Sequence, residues 1–489
     1  MSSPQSHTPH VDLQAMATQV MMEHGFEPDL PTAAKQQLSE ILARNPLNGG
    51  AKNVRDLRSL LWSSIDNDTS RDLDQIEVAE QQPNGDVKVM IGIADVDAFV
   101  AKSTPIDDHA AKETTSVYTG VRIFPMLPEE LSTGASSLLE NEDRLAMVIE
   151  FVAHADGTVS GDSVYPAIVR NKAQLTYNAV GAWLDGTAAA PPKVAASAEL
   201  QAQLKIQNQA AQALRNQRFA HGALNIDTGE VQAVLVNPQL VDIQKQERNP
   251  ATNLIEDFMI AANGVVARLL MHVSSLRRIV RTPERWDRIV QLAATKGYHL
   301  PAQPDSKALN DLLVKQKAAD PDHFADLSLA VIKLIGPGEY VLERQGDPEM
   351  GHFGLAVQDY THSTAPNRRF ADVVTQRLLK AFIAGQKGPY SDSEMEGIAR
   401  NCTVKEDAAR KVEREMRKRI AAVMMSSRIG QTFDAIVTGA SEKGTFVRVM
   451  EPHIEGMLVQ GHGVDVGDKL RVKLVRTDIQ RGYIDFAKG

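Results

Sequence analysis

Cysteine is nearly absent: Cys402 is the single one in 489 residues. That excludes an internal disulfide framework and a cysteine-rich zinc site, and it fits a reducing compartment. No apolar run is long enough to cross a bilayer. The opening stretch MSSPQSHTPHVDLQ lacks the basic and apolar blocks of a signal peptide. The expectation is a cytoplasmic monomer with no membrane partner. A basic excess is missing too, with a formal net charge of -9. This does not exclude nucleic acid, because binding follows the local field, and a pocket built from carboxylates is itself acidic.

What is present is an ordinary globular balance, 43% hydrophobic and 24% charged, in a chain too long for one core. Residues 1–60 read as helical: Leu13, Met16, Val20 and Met21 share a face, as do Leu38, Ile41 and Leu42, and Val54, Leu57 and Leu61 follow. Three short helices form either a helix-turn-helix module or a cap on the next domain. Strands begin near Ser63, and Asn84-Gly85 signals a two-residue hairpin turn. Strands and helices then mix to about residue 385, and Thr403 to Arg428 reads as one long helix. After Gly430, five alternating segments (FDAIV, TFVRVM, EGMLV, DKLRVKLV and YIDFA) predict a small five-stranded barrel, a fold that binds oligonucleotides or proteins.

The densest chemistry lies in Ser64–Gln75. Asp72 and Asp74 are two apart at the start of a predicted strand and therefore share a face, while Asp66 heads the preceding loop. A two-residue turn at Asn84-Gly85 would also set Asp95 opposite Asp74. Carboxylates gathered on one surface repel each other unless a cation sits between them, and Mg²⁺ suits hard oxygen ligands and keeps waters that become nucleophiles.

The spacing of Asp66, Asp72 and Asp74 resembles the signature of the ribonuclease II / ribonuclease R family, whose catalytic unit is the RNB domain. The resemblance continues in order through Ile93–Val96, Phe124–Pro128 with Leu131-Ser132, Lys172–Tyr177, Asn253–Phe258 with Ala262-Asn263, His352–Leu355, and Tyr360–Arg369 with Asp372. The terminal segment resembles the ribosomal-protein-S-one type of RNA-binding barrel. The implied fold class is α+β multidomain: a helical module at 1–60, a mixed α/β RNB catalytic domain at 61–429, and an all-β OB-fold barrel at 430–489. Two departures stand out. The family usually carries a fourth aspartate where this chain has Gln75, and it generally has cold-shock-type barrels ahead of the catalytic domain, which residues 1–60 cannot form.

The resemblance implies a processive 3′→5′ exoribonuclease that hydrolyses single-stranded RNA to nucleoside 5′-monophosphates. By the same pattern Asp66, Asp72 and Asp74 hold Mg²⁺, with Asp74 either a ligand or the group that positions the attacking water. Arg368 contacts the scissile phosphate through a guanidinium able to hold two oxygens, and Arg369 stands beside it. Tyr177 matches an aromatic that stacks on RNA, Trp286 is the candidate second aromatic of a base clamp, and Glu413 corresponds to a glutamate near the terminal nucleotide. The competing class is a catalytically weakened RNA-binding homologue. An unrelated metal phosphodiesterase would leave the later motifs unexplained.

Overall fold

The computed structural model describes residues 11–44, 54–227, 231–236, 239–245, 248–348, 350–441 and 444–489. Helices α1 (Leu13–Glu23) and α2 (Thr32–Leu42) precede strands β1 (Arg55–Asp56), β2 (Ser63–Asp66), β3 (Gln75–Gln81) and β4 (Val87–Ala94). Helix α3 (Pro105–Glu113) and a small ribbon, β5 (Val117–Tyr118) with β6 (Ile123–Phe124), lead to the long hairpin β7 (Asp143–Ala153) and β8 (Val159–Arg170), then β9 (Ala173–Thr176). Helices α4 (Tyr177–Leu184), α5 (Pro192–Ala195) and α6 (Ala198–Ala220) follow, then the pair β10 (Val231–Val236) and β11 (Gln239–Lys245), and α7 (Pro250–Leu269). Next come β12 (Ser275–Ile279), α8 (Trp286–Thr295), α9 (Ser306–Ala319), α10 (Phe324–Ile335) and β13 (Glu339–Glu343), which pairs with β12. Helices α11 (Phe370–Ile383) and α12 (Asp392–Ser426) lead into β14 (Thr432–Ser441), β15 (Gly444–Val449), β16 (Ile454–Leu458), β17 (Lys469–Asp478) and β18 (Tyr483–Lys488).

Seven strands form the central sheet in the order β1-β8-β7-β4-β3-β2-β9, parallel only at its two edges. Alternation along each strand gives the sheet two apolar faces. Ile91, Ile93, Phe151 and Leu175 pack on one side with residues of α6, α7 and α11, while Ile76, Val78, Met90 and Val148 pack on the other around Trp62. Each such fully buried side chain contributes on the order of 1.5–3 kcal/mol. The last five strands close into a barrel.

The 35-residue helix α12 joins three cores. Its first turns pack in the main core through Met395, Ala399 and Cys402, its middle packs with α1 and the β5–β6 ribbon through Ala409, Val412 and Met416, and its end fills the barrel through Ala422 and Met425. It starts eleven residues before the helix expected at Thr403, because Ser391 and Glu394 form a reciprocal capping box.

Two further expectations change. Val54, Leu57 and Leu61 do not form a third helix: β1 pairs with β8, the Leu57 N–H donates to Ile168 at 2.9 Å, and the Trp62 indole donates to the Leu57 carbonyl at 2.8 Å. Moreover, α1 packs against α12 and the ribbon whereas Ala34 and Leu38 of α2 join the main core, so these helices cap the neighbouring structure instead of pairing as a helix-turn-helix. The hairpin loop is also one residue longer than expected. Gln82 both donates to Asp86 and accepts from Gly85, whose φ of +89° only glycine adopts readily, leaving Pro83-Asn84-Gly85 as a three-residue loop. The register becomes Gln75 opposite Ile93, so Asp74 faces Ala94 and Asp95 turns away.

Candidate active site

The acidic loop hangs between the end of β2 and the start of β3, where the strands part. Asp66 closes β2 and accepts from the Asn67 N–H (2.7 Å) and the Ser70 hydroxyl (2.8 Å). Asp72 accepts from the Tyr118 hydroxyl at 3.2 Å. Asp74 is buried, accepts from the Asn367 N–H at 2.9 Å, and faces the Arg368 guanidinium at 3.6 Å. Burial pushes the Asp74 carboxyl up to about 7, against the pull of Arg368, and burial likewise raises Asp66. These are the perturbations expected where carboxylates are concentrated for chemistry.

Two serines lock the geometry. Ser137 donates to the Arg71 carbonyl (2.7 Å) and accepts from the Leu73 N–H (2.9 Å), fixing the aspartate loop. Ser136 donates to Asn367 Oδ1 at 2.6 Å, fixing the loop that carries Arg368. Residues 130–135, just before them, form one widened helical turn, a local irregularity that re-aims the chain. Sequence reading missed both serines, since nothing in their spacing marks them.

An open cavity of about 230 Å³ is lined by Tyr118 and Arg368, the partners of Asp72 and Asp74, and by Arg369, Glu413 and the buried Cys402 and Ala409 among others. Arg368 is 45% exposed and free to meet an anion, whereas Arg369 is clamped on both carboxylate oxygens of Asp372 at 2.8 and 2.9 Å. Glu413 accepts from the Tyr118 N–H at 3.1 Å. Tyr118 is 40% exposed and sequence reading passed over it; no periodicity distinguishes the ribbon that carries it. Tyr177 opens α4 directly after Thr176, the register partner of Asp66, and is half-buried against the main core.

Two expectations are corrected. Trp286 is only 4% exposed, donates its indole N–H to the Pro301 carbonyl at 2.8 Å and packs edge-on to Phe353, so its ring belongs to the core beneath α8–α10 and is not available as half of a base clamp. Asp95 leaves the acidic cluster for an ion pair with Lys380 at 2.6 Å. Among the described residues no group of three His, Cys, Asp or Glu side chains is already gathered around a metal position. Each carboxylate has taken its own donor, and the Asp72 charge still bears on both Asp66 and Asp74. Mg²⁺ still fits this donor set, because it binds through one or two carboxylates, its own waters and substrate phosphates. Gln75 is buried and adds no charge. Two residues on, Glu77 is fully buried with neither oxygen partnered among the described residues, and burial holds its carboxyl well above the ordinary range.

A profile of the RNB domain matches residues 54–385. The chain belongs to the RNB-domain family, that of ribonuclease II and ribonuclease R. A second profile, the RNase II-type exonuclease C-terminal S1 domain, matches residues 431–488, the closed barrel. The chain is 31% identical to ribonuclease R of Thermotoga maritima over 467 residues, covering 88% of this chain and 64% of that protein, so it spans less than two thirds of this relative. Its fold is shared with the apo form of Mycoplasma genitalium RNase R, at a TM-score of 0.86 and 22% identity, over 98% of this chain and 78% of that one. The same fold occurs in yeast Ssd1, described as a pseudonuclease, at a TM-score of 0.71 and 16% identity, over 96% of this chain and 58% of that one. The RNB fold therefore does not carry activity by itself, and the site residues must be weighed directly.

Proposed function

We propose that this RNB-family chain is a metal-dependent 3′→5′ exoribonuclease that degrades single-stranded RNA processively to nucleoside 5′-monophosphates. The observation that carries it is the buried Asp74 carboxylate facing the half-exposed Arg368 guanidinium at the mouth of the cavity. A pseudonuclease has no need to keep a buried carboxylate and a half-exposed guanidinium in register. Asp66, Asp72 and Asp74 would hold Mg²⁺, which when bound supplies charge neutralisation at the scissile phosphate and a more acidic water. Arg368 binds the non-bridging oxygens and favours the charge that develops on them. Asp74, held between the Asn367 N–H and Arg368, would orient the attacking water. Arg369 acts indirectly by fixing the loop against Asp372. Tyr118 and Tyr177 offer stacking surface, and Glu413 faces the terminal nucleotide. The three-part division of the chain at residues 60 and 429 belongs to the same proposal, with the barrel guiding RNA to the catalytic unit.

The test is a 5′-labelled single-stranded RNA incubated with the protein and Mg²⁺. Stepwise shortening from the 3′ end with release of 5′-monophosphates, stopped by EDTA, is expected. Internal fragments, or equal rates with EDTA, would refute it. Gln75 favours one second reading, a weakened RNA-binding homologue; RNA bound tightly but left intact under these conditions would establish that instead.

A further inference from the structure

We infer that His362 binds a ribose hydroxyl of the RNA's 3′-terminal nucleotide inside the cavity beside Arg368, an inference that rests on the exoribonuclease reading.

His362 lies in the segment that carries Arg368 and lines the same cavity. Its ring is held by two tyrosines. Nδ1 shares a 2.8 Å hydrogen bond with the Tyr340 hydroxyl, and the rings of Tyr340 and Tyr360 meet it edge-on, with centroids 5.5 and 5.7 Å away. Tyr340 is itself fixed, because the Arg278 guanidinium lies 4.8 Å over its ring and reaches both oxygens of Glu406 on α12 at 2.6 and 2.8 Å. One polar atom of the imidazole is left over. Nε2 has no hydrogen-bond partner among the described residues, although the ring borders open space. A rigidly mounted side chain with one unspent hydrogen-bonding atom is a preorganised contact.

The chemistry selects what that atom meets. Burial and the nearby Arg369 and Arg278 guanidiniums keep the imidazole neutral, so Nε2 offers a single uncharged hydrogen bond. A phosphate is better served by the free Arg368. A base edge is excluded as a constant partner, because an enzyme that removes any nucleotide cannot depend on donors and acceptors that differ from base to base. The sugar hydroxyls are the uncharged groups that every terminal nucleotide presents, and the 2′-hydroxyl is what separates RNA from DNA. Buried Cys402 and Ala409 line the same cavity, and the terminal position of the nucleotide follows from the exoribonuclease reading.

The experiment uses His362→Asn, which keeps an amide near the Nδ1 position but cannot reach as far as Nε2, and His362→Gln, whose amide overlays Nε2. Single-turnover removal of the last nucleotide is measured on three oligonucleotides: all-RNA, the same with a 2′-deoxy terminal residue, and the same with a 3′-deoxy terminal residue. Comparing substrates within one variant cancels any difference in folded fraction. For His362→Asn, the all-RNA rate should fall by roughly five-fold, the worth of one neutral hydrogen bond. The oligonucleotide lacking the contacted hydroxyl should lose nothing further, and His362→Gln should recover part of the all-RNA rate. The deoxy position that abolishes the effect identifies the hydroxyl. Equal slowing of all three substrates by His362→Asn overturns the assignment of His362. Failure of the wild-type protein to shorten the all-RNA substrate overturns the exoribonuclease reading instead.

Discussion

The backbone N–H of Asn367 donates to Asp74 Oδ1 at 2.9 Å, joining two loops that are 293 residues apart in the chain. Through it, the position of Asp74 depends on a loop that is itself held by Ser136 on the Asn367 side chain. The acid and the arginine that face each other are thus set by a common support. Ser136→Ala should therefore lower kcat while leaving KM for RNA near its wild-type value. The lost bond is buried, so urea unfolding should also show a cost of about 1–3 kcal/mol. An unchanged kcat in a destabilised protein would show that the latch serves stability alone.

Asp74→Asn should reduce turnover by orders of magnitude with RNA affinity nearly unchanged, since a carboxylate adds nothing favourable to phosphate contact. It should also alter the stability profile of the metal-free protein. A carboxyl raised to about 7 in the fold and ordinary in the unfolded chain leaves the folded state holding the extra proton between about pH 4 and 7. Stability therefore falls as pH rises through that window. The amide cannot ionise, so Asp74→Asn should flatten this part of the curve and melt higher than wild type at pH 8 in EDTA. Parallel curves for the two proteins would show that Asp74 does not titrate there.

Tyr118 and Tyr177 should separate on substitution. Tyr118 is exposed at the cavity mouth, so Tyr118→Ala should weaken binding of short RNA by about 1–3 kcal/mol, the value of one base–aromatic stack, with little change in the urea midpoint. Tyr118→Phe keeps the ring and loses only the 3.2 Å bond to Asp72, and should bind almost as wild type. Tyr177→Ala should lower the urea midpoint as well as lengthen the limit product, because its ring packs against the main core. Identical profiles for the two alanine variants would contradict this division.

Trp286→Ala should behave as a core deletion. Loss of a buried ring of this size costs about 3–5 kcal/mol, and the residual activity per folded molecule should match wild type. A wild-type melting temperature combined with weakened RNA binding would return Trp286 to the RNA path.

Some of this was already decided by local sequence. Asp66, Asp72 and Asp74 are brought together by proximity in the chain: Asp66 ends β2, and Asp72 and Asp74 lie in the loop ahead of β3 and not, as expected, on the strand itself. Alternating segments between glycine-rich turns closed into the barrel, because period-two patterning survives without knowledge of distant partners. Other features were decided by one residue of turn length or by contacts across hundreds of residues. A three-residue loop in place of two moved Asp95 from the cluster to Lys380, since register propagates along the whole ladder. Arg368 and Arg369 are adjacent and chemically identical, and only the tertiary structure leaves Arg368 half-exposed at 3.6 Å from Asp74 while Asp372 on α11 clamps Arg369. Trp286 became core and Tyr118 became exposed for the same reason: an isolated aromatic carries no periodicity, and burial is settled by what packs on it. The sequence therefore determined which groups the site has to work with, while long-range hydrogen bonds and packing determined which of them face the cavity.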